Sequence, residues 1–597
     1  MGSDITGSSG SFGSDINLND DGTILAIGAK SVSSNAGQVQ IYQFINNSWT
    51  LISSKIDGDA SGDILSPCAL NADGSIVVVG ASGNDGPVFN DGQTRVFTTS
   101  LAVWQGTTDN SITTNTNWKF NTLPKTTSSI LIPNNLANYP TLNTALTAKA
   151  VTINSGASFI TSSTVTGTVQ YRRDLATDNW YMVSSPVVGQ DIDAFVNITN
   201  LANGSAPNRG LAPYLNNGVA WDYYQNGATG SGNFVAGKGY SIKLSTSGNI
   251  TFSGTMPTAP VNIPIAENIE KFNLVGNPYP SYLAANTNAK TTNNLLTVNS
   301  GNLSESTLWF WDQENNTYNQ INLASPAFYA APGQAFFVSS TNAVSNTVNI
   351  TEAMQSHQTT DTFQKIATSR PEIKVIISNG KQTRDTDIYY IEGTNTGFDN
   401  GYDSSIFTGT GNSFEIFTSL VTNDEGKKLG IQSLPDSDFE NMIIPIRIIA
   451  KASAISITVN ATNLPSDYTV YLEDKQEGTF TKLSETNNKL DIFFNTNVNT
   501  TGRFFLHTTN AKALNVNDAS LNDVSVYKNI INQLKISGLE NQNAVLSVYT
   551  ILGKVIFTTK FKGQTNDTIP LPIRTTGVYI IKIKTKNRTL SKKIIIE

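Results

Sequence analysis

Hydrophobic and polar residues alternate with period two along most of the chain. In "GVYIIKIK" (577–584), Tyr579, Ile581 and Ile583 share one face, and Ile580 and two lysines share the other. Such alternation is typical of half-buried β-strands. No long amphipathic helix is evident; the best helical candidate is 353–368, and a loop is the alternative. The pattern therefore predicts an all-β protein.

The spacing of the strand-like runs divides the C-terminal half into two predicted domains. Eight runs lie within 371–508 and seven within 524–597, separated by a polar segment of small residues at 510–523. Short strands at such regular spacing predict β-sandwiches. We therefore expect a sandwich at 371–508, a linker at 510–523 and a compact seven-stranded, Ig-like sandwich at 524–597.

The first hundred residues contain a duplication. "FGSDINLNDDGTILAIGA" (12–29) aligns with "GDILSPCALNADGSIVVVGA" (62–81), and the Asp-Gly pairs fall at an offset of 52. Each copy predicts a strand, an Asp-Gly turn with both positions at positive φ, a strand, a Gly-rich loop and a strand. A repeat of this length with several strands is typical of a β-propeller blade.

These copies resemble the FG-GAP-like β-propeller repeats of bacterial surface proteins. The matching residues are Phe12-Gly13, "DGTILAIGA" and "GQVQIY" (37–42). Two blades are too few to close a propeller. Residues 1–100 are therefore interpreted as two blades of a truncated propeller, and we expect the natural chain to begin further upstream.

Two further segments precede the predicted sandwich. Residues 104–165 show short strands and Asn turns that predict the start of a β-solenoid or a small sandwich. They resemble a segment of Bacteroidetes surface proteins, with Trp104-Gln105-Gly106, Asn117-Trp118 and Ile132-Pro133 as landmarks.

Residues 166–355 contain a second duplication. Within it, "NWYMVSSPVVGQDIDAF" (179–195) aligns with "KFNLVGNPYPSYLAANT" (271–287), and "VAWDYYQ" (219–225) aligns with "TLWFWDQ" (307–313). The sequence predicts two similar β units, side by side or related by pseudo-symmetry.

Composition excludes several classes of function. The 597 residues predict roughly three to five domains, and a net charge of −7 with dispersed basic residues disfavours a nucleic-acid partner. Cys68 is the one cysteine, so an intrachain disulfide is impossible, and it is interpreted as a core residue. No apolar run is long enough for a transmembrane segment, and no signal peptide is visible at the N-terminus.

Chemistry-bearing constellations are sparse. The two histidines are far apart, and the carboxylates are too scattered to nominate a catalytic pair, so we expect no enzyme and no required cofactor. Two acidic loops could bind Ca²⁺: one carries Asp57, Asp59 and Asp63, and the other carries Asp399 and Asp403. The alternative for both loops is an ordinary Asx turn or cap.

Aromatic clusters are the other candidate site. Trp221 and Tyr223 share one strand face, and Trp309 and Trp311 share another. Exposed rings in a row could stack on sugars, whereas buried ones would form a sandwich core. The equivalent positions of the two clusters in two repeats favour the core.

The last 75 residues carry the most specific motif. The runs "LSVYTILGKVIF", "NDTIPLPIRTTGVYIIKI" and "LSKKIIIE" stand in the order found in the type A C-terminal sorting domain of type IX secretion cargo, which they resemble. The diagnostic residues are Gly553, Gly577-Val578-Tyr579 and Lys592-Lys593. Thr550 and Lys554 depart from the family pattern, which has Asn and Gln there. Residues 371–508 also look like the sandwich that commonly precedes such tails.

This resemblance implies a route and partners. Cargo folds in the periplasm, and the tail is recognised by the outer-membrane translocon, is typically cleaved there, and leaves the cargo released or attached to surface lipopolysaccharide. We therefore expect an extracellular or outer-membrane surface protein, adhesive or binding glycan or matrix, whose glycan or protein ligand the sequence does not identify. The alternatives are a structural surface protein, or the accessory region of a polysaccharide- or protein-degrading enzyme whose catalytic part is absent.

Overall fold

The structure is a computed structural model. It describes residues 4–7, 11–45, 48–85, 89–217, 220–341, 346–358, 370–407, 413–422, 424–437, 442–466, 468–483, 489–510, 524–528, 533–539, 541–550, 553–564, 566–573, 575, 577–586 and 589–596. Strands make up 51% of the described residues and helices 4%, so the predicted all-β, multidomain class is confirmed.

The chain forms two compact units. The first comprises Met1–Asp438, Ile443–Leu464 and Leu472–Leu506, and the second comprises Phe439–Met442, Pro465–Tyr471 and His507–Glu597. The predicted linker falls almost wholly on 511–523, which lie outside the described residues. Of the helical candidate 353–368, the described part contains a 3₁₀ turn at Glu352–Met354 and a short strand rather than an α-helix.

The N-terminal copies form two antiparallel meanders. Their strands are β1 (Phe12–Leu18), β2 (Ile24–Ala29), β3 (Gln38–Ile45), β4 (Ser48–Leu51), β5 (Ile56–Asp57), β6 (Leu65–Leu70), β7 (Ile76–Ala81) and β8 (Gln93–Thr98). One sheet has the order β1-β2-β3-β4 with β5 beside β3, and the other has the order β6-β7-β8. The duplicated β1–β3 and β6–β8 are thus alike, but closure into a propeller stays a prediction.

The Asp-Gly turns differ from the expectation in one respect. Gly22 and Gly74 have φ of +69° and +73°, but neither preceding aspartate has a positive φ. Each aspartate instead accepts a backbone hydrogen bond two residues on, from Thr23 N and Ser75 N. The expectation of two positive φ angles was wrong, because an Asx turn closes these hairpins.

The next segment is a parallel ladder. Its strands are β9 (Leu101–Val103), β10 (Ser129–Ile132), β11 (Thr141–Leu142), β12 (Leu146–Ile153), β13 (Ile160–Thr161) and β14 (Val165–Leu175). β9, β10, β12 and β14 pair side by side in parallel and in chain order, and β11 pairs in parallel with β13. Successive parallel strands are the arrangement of a β-solenoid, one of the two predicted alternatives.

The region after β14 contains two sheets of the same topology. Its elements are β15 (Tyr181–Ser184), α1 (Ile192–Ile198), β16 (Leu211–Leu215), β17 (Ala220–Trp221), β18 (Gly239–Ile242), β19 (Gly248–Gly254), β20 (Val261–Ile265), β21 (Phe272–Gly276), β22 (Tyr282–Ala284), α2 (Leu295–Asn299), β23 (Leu303–Asp312), β24 (Thr317–Asn322), β25 (Tyr329–Ala330), β26 (Ala335–Ser340), β27 (Asn346–Ile350) and β28 (Gln355–Ser356). The order β15-β18-β16-β17 in one sheet corresponds to β21-β26-β23-β24 in the other.

These two sheets meet about a pseudo-two-fold axis. Ser184 N donates to Gly333 O, and at the equivalent place Gly276 N donates to Gly237 O, both at 2.8 Å. Position 276 requires glycine, because a Cβ there would lie 2.4 Å from the Cβ of Ser184. The contact is therefore of the isologous kind, in which equivalent residues exchange roles.

The same topology corrects one alignment. Trp221 lies on β17, the second strand of its hairpin, whereas Trp311 lies on β23, the first strand of the other. Cross-strand pairing matches Tyr214 with Trp221 and Trp311 with Tyr318. Aligning "VAWDYYQ" with "TLWFWDQ" was therefore wrong by one strand, because both hairpins carry an aromatic residue on each arm.

The next described strands comprise the eight predicted runs of 371–508 and four further strands that the pattern did not predict. They are β29 (Glu372–Ser378), β30 (Thr383–Tyr390), β31 (Ser404–Ser405), β32 (Glu415–Thr418), β33 (Leu429–Leu434), β34 (Ile443–Ala450), β35 (Ser453–Thr462), β36 (Tyr468–Asp474), β37 (Thr479–Lys482), β38 (Leu490–Phe494), β39 (Val498–Asn499) and β40 (Phe504–Asn510). Part of their sheet has the order β34-β32-β33-β30-β29-β35-β38. All eight predicted runs are strands.

The second compact unit includes a seven-stranded sandwich. Its strands are β41 (Ser525–Lys528), β42 (Gln533–Ser537), β43 (Asn543–Thr550), β44 (Val555–Lys562), β45 (Asn566–Pro570), β46 (Gly577–Lys584) and β47 (Thr589–Ile596). One sheet has the order β41-β42-β45 and the other the order β44-β43-β46-β47. Leu546, Val548, Ile581 and Ile583 are buried in its core, as the alternation predicts.

Candidate functional site

A cleft of about 890 Å³ opens between the β23–β24 hairpin and the sheet that contains β29, β30 and β32. The side chains that line it combine aromatic rings, carboxylates, amides and two cations. They belong to Ala176, Phe310, Trp311, Asp312, Gln313, Glu314, Thr317, Tyr318, Asn319, Gln320, Ile321, Ser325, Pro326, Ala327, Phe328, Lys374, Arg384, Asp385, Asp387, Tyr389, Ile406, Phe407, Glu415 and Ile416. Concave sites with this mixture of groups are typical ligand-binding sites.

A lysine between two carboxylates lies on one wall of the cleft. Lys374 on β29 is paired across strands with Asp387 on β30, with 2.9 Å between Nζ and a carboxylate oxygen, and it also contacts Asp385. Burial acts to lower the pKa of Lys374, but the two carboxylates outweigh it and raise that pKa above its ordinary value. The lysine therefore stays charged and holds the carboxylates in place.

Arg384 joins this wall to the hairpin opposite. Its Nη1 donates to Asn315 O at 2.8 Å and its Nη2 to Asn316 O at 3.0 Å, both in the turn between β23 and β24. Arg384 is buried, and its burial lowers the pKa of the guanidinium. Because a guanidinium donates in a fixed planar fork, this contact sets the position of the hairpin against β30.

Of the four aromatic candidates, only Trp311 lines the cleft. Its ring lies 4.9 Å from that of Tyr318, and its Nε1 donates to Trp180 O at 2.8 Å. Trp309 is 0% exposed, so its ring is not accessible to a ligand. Trp221 and Tyr223 are half-buried against Tyr214 and Trp180, outside the cleft.

The loop 397–407, named here the clasp loop, docks on β23 beside the cleft. Glu305 is 1% exposed and accepts hydrogen bonds from Ser405 N at 3.0 Å and from Ser405 Oγ at 3.1 Å. Its third donor is Lys271 Nζ at 2.6 Å. Burial alone would raise the pKa of Glu305, but Lys271 and Ser405 lower it below the ordinary value. Glu305 is thus an ionised carboxylate with three donors.

Further contacts fix the clasp loop along its length. Asn322 Nδ2 donates to Tyr402 O at 2.7 Å, and Trp309 Nε1 donates to Ser405 O at 2.8 Å. At the end of the loop, the Phe407 ring packs 4.2 Å from that of Tyr318. The clasp loop therefore joins the duplicated region to the sheet that follows it.

The candidate calcium residues of this loop form hydrogen bonds within the protein. Asp403 is 0% exposed, and its two carboxylate oxygens accept from Asp399 N at 2.7 Å and from Ser433 N at 2.6 Å. Burial raises the pKa of Asp403 to about 7. The Asp399 carboxylate accepts from Asn395 N at 2.6 Å. Both aspartates shape the loop, as the alternative of an Asx turn or cap proposes.

The aspartates of the N-terminal acidic loop also have partners within the protein. Asp57 accepts from Gln38 Nε2 at 2.6 Å, Asp59 pairs with Arg95 at 3.1 Å, and Asp63 accepts from Ala60 N at 2.8 Å. That last hydrogen bond lowers the pKa of Asp63. Within the described ranges, no three His, Cys, Asp or Glu side chains lie close enough to hold a metal ion. Calcium at either loop stays a prediction.

The imidazole of His357 lies between two hydroxyl groups. Its Nε2 lies 2.9 Å from Thr141 Oγ1 and its Nδ1 lies 2.9 Å from Ser158 Oγ. Burial lowers its pKa to about 4, so the imidazole is neutral at neutral pH. It joins the solenoid-like segment to the end of the duplicated region.

Comparison with known proteins places the cleft and the clasp loop in one family domain. Residues 160–507, more than half of the chain, match the family described as "Domain of unknown function (DUF8693)". The chain belongs to the DUF8693 family. Its matched region includes every residue that lines the cleft, together with Glu305 and the clasp loop, so both are features of the DUF8693 domain.

A second family match covers the tail. Residues 527–597 match the "Secretion system C-terminal sorting domain", so the chain is cargo of the type IX secretion system and is a secreted or cell-surface protein. These two matches do not test the FG-GAP resemblance, which stays a prediction. Among the described residues, no helix is long and apolar enough to cross a membrane.

Curated proteins and solved structures add little. No curated protein matches the chain. Nine solved chains match, and one is titled "Biofilm associated protein - BSP domain". It is 9% identical, with 70% of this chain and 96% of that chain covered and a TM-score of 0.11. So low a TM-score carries no argument about fold or function.

The diagnostic tail residues lie in the last hairpin and before β44. Gly553 has a φ of +82° in the bend before β44, and Gly577 and Val578 begin β46. Tyr579 is buried, and its hydroxyl bonds to Thr575 Oγ1 at 2.7 Å. Lys592 and Lys593 are exposed on β47, an edge strand of its sheet. Charged edge strands resist uncontrolled strand pairing.

Sequence reasoning missed the charged wall of the cleft. The available signal was "TRDTDIYY" (383–390), in which Asp385, Asp387 and Tyr389 fall on one strand face and Arg384 on the other. Two aspartates on the same strand face as a buried tyrosine are unusual for a core face. The partner Lys374 follows from the hairpin register.

We predict that Glu305→Ala loosens the clasp loop. The variant removes three hydrogen bonds from a buried site, and we expect it to destabilise the DUF8693 region by about 3 kcal/mol. Hydrogen–deuterium exchange over 397–407, together with thermal unfolding, measures the effect. Glu267→Ala, at an exposed position of the same region, is the control and should stay within about 0.5 kcal/mol. Equal exchange in both variants would contradict the role of Glu305.

A second prediction concerns pH. The pKa of Asp403 is about 7 in the folded state against 3.8 for the unfolded reference, so the folded state binds the extra proton. The resulting stability is complete below pH 3.8 and is lost as the pH rises towards 7. We expect protection of the Asp399 and Ser433 amides from exchange, corrected for intrinsic rates, to fall between about pH 4 and about pH 7.

Asp403→Asn tests this expectation. At the acidic end of this range the variant should lower protection by about 1–3 kcal/mol, because one acceptor is lost, and it should remove the pH dependence. Local exchange is the suitable measurement, because the lowered pKa of His357 gives global stability the opposite slope in the same range. A variant that keeps the wild-type slope would show that another group titrates.

Proposed function

We propose that this exported protein is a non-catalytic adhesin that binds neutral or amino-bearing glycan through the cleft of its DUF8693 domain. The observation that carries the proposal is the composition of the cleft. The aromatic ring of Trp311 offers a flat apolar surface, while the carboxylates and amides beside it can accept and donate hydrogen bonds. Sugars present both an apolar face and a rim of hydroxyl groups, so the two chemistries are complementary.

The charge of the cleft restricts the class of glycan that we expect to bind. Five carboxylates line the cleft, at Asp312, Glu314, Asp385, Asp387 and Glu415, against the two cations Lys374 and Arg384. Both cations already have partners within the protein. An excess of like charge disfavours anionic ligands, so sialylated, sulfated or uronic-acid glycans should bind poorly.

We propose in addition that the protein has no catalytic activity. It is supported by the environments of two potentially reactive groups: both nitrogens of His357 bond to hydroxyls, and Lys374 is fixed between two aspartates. Neither is arranged as a general base near an accessible nucleophile. Upstream genomic sequence that encoded a hydrolase domain would instead favour an accessory region of an enzyme.

We predict that Trp311→Ala weakens glycan binding about tenfold, because one stacking face is lost. The measurement is a glycan array followed by titration of the ligands found, with neutral, amino and acidic sugars represented. Asp385→Asn, whose side chain is 41% exposed, probes the polar wall without removing the ring. Trp49→Ala, a half-buried tryptophan on β4 that packs on Phe44, is the matched control.

Two results of the glycan array would contradict the proposal. Binding that survives Trp311→Ala unchanged would place the ligand elsewhere on the protein. Absence of binding to every glycan class would favour a structural surface protein.

The export signal has its own test. We predict that deletion of 592–597 leaves the protein in the periplasm, because it removes the last five residues of β47, including Lys592 and Lys593, from their pairing with β46. An edge strand can be recognised by strand addition from a partner, here the translocon or the sortase. Fractionation of cells that express wild type and deletion variants measures the outcome, and normal secretion of the deleted form would refute it.

A further inference from the structure

The tail carries a charge opposite to that of the rest of the chain. Residues 524–597 contain twelve lysines and arginines against three aspartates and glutamates, a formal charge of +9. The preceding 523 residues contain 27 and 43, a formal charge of −16. A modest overall charge of −7 therefore hides a strongly basic domain.

Five of the lysines lie on one face of the four-stranded sheet. On β46 the residues Tyr579, Ile581 and Ile583 point into the core, so Lys582 and Lys584 point outward. The outward residues of the neighbouring strands follow from register. The residues named here the lysine face are Lys560, Lys562, Lys582, Lys584 and Lys593.

No acidic side chain among the described residues of the tail lies on this face. Among the described residues of the tail, the acidic side chain is Asp567, which lies on β45 in the other sheet and accepts from Gln564 N. Strands are about 4.8 Å apart, and alternate residues along a strand are about 7 Å apart, so the lysines repel one another within one Debye length. Repulsion of this kind disfavours folding and indicates that an external anion is the natural partner.

The shape of the face identifies the kind of anion. It is an open sheet surface, and its cations are lysines, which act as flexible point charges rather than as the planar forks that select individual carboxylates. Exposed apolar residues form a row across one end of the sheet: Ile580 is 38% exposed and Val555 is 51% exposed, and both pair with Tyr549 on β43. Lysines around a few apolar side chains are suited to the interface of an anionic bilayer.

We propose that the lysine face docks the protein on the phosphate-rich surface of an anionic membrane. The proposal is independent of glycan binding by the cleft, because it rests on a different surface and a different ligand. Each lysine near such a surface is expected to raise the binding constant about fivefold. The outer membrane that type IX cargo must cross supplies a surface of this chemistry.

Vesicle co-sedimentation of the full 597-residue chain tests the proposal. We expect binding to vesicles of phosphatidylcholine mixed with phosphatidylglycerol, and to vesicles that contain lipopolysaccharide, but not to phosphatidylcholine alone. Binding should weaken steeply as salt is raised, because the Debye length falls from about 10 Å at 0.1 M to about 3 Å at 1 M. Inorganic phosphate at matched ionic strength should not compete, because one phosphate cannot span the face.

Matched variants assign the effect to the face. Lys560→Gln, Lys582→Gln and Lys584→Gln together should weaken vesicle binding about a hundredfold. The control combines Lys30→Gln, Lys55→Gln and Lys381→Gln, exposed lysines of the first compact unit, which change the net charge equally. Equal loss in both triple variants, or equal binding of wild type to neutral and anionic vesicles, would overturn the proposal.

Two further outcomes are decisive. If the tail variant proves misfolded by circular dichroism, the lipid and salt dependence of the wild-type chain alone decides the question. If wild type binds no vesicle but the tail variant is retained in the periplasm, an acidic protein is the partner and the membrane proposal is wrong. Glycan-array binding is unaffected in either case, so failure here leaves the function of the cleft untouched.

Discussion

The DUF8693 domain depends on one buried carboxylate, that of Glu305. A buried charge costs several kcal/mol unless it is paired and fully hydrogen-bonded. Lys271 supplies one donor from the duplicated region, and Ser405 supplies two from the clasp loop. Neither the duplicated region nor the clasp loop alone supplies all three donors to the Glu305 carboxylate. Both lie within the matched family domain, residues 160–507, and the domain needs both to stabilise this charge.

The cleft follows from how the two repeats diverged. Their sheets have the same strand order, but the hairpin β16–β17 is short, whereas β23 and β24 have ten and six residues. Only the longer hairpin carries the turn at Asn315 and Asn316 whose carbonyls Arg384 binds. The close contact at Gly276 fixes the sheets about their pseudo-axis, so the asymmetry appears at the periphery, where a site can form without disturbing the shared core.

Local features of this protein were readable from sequence, and features that combine distant segments were not. The strands of 371–508 and 524–597 were predicted because alternation is a property of neighbouring residues. The Asp-Gly positions were right but their φ angles were not, because the preceding aspartates accept backbone hydrogen bonds. The cleft was missed because Trp311 and Asp385 lie more than seventy residues apart, and only the clasp loop and Arg384 bring their strands together.

The two candidate surfaces of this chain have opposite signs, and that separation has a physical use. The cleft has more carboxylates than cations, and the lysine face has five lysines. At physiological salt the Debye length is about 8 Å, so each surface acts on its partner locally and the net charge of −7 predicts neither interaction. A sorting domain must serve cargo of any charge, so its own recognition chemistry has to be carried by its own sheet. The proposed lysine face is confined to the tail and would meet that requirement, and it leaves the ligand selectivity proposed for the DUF8693 cleft unaffected.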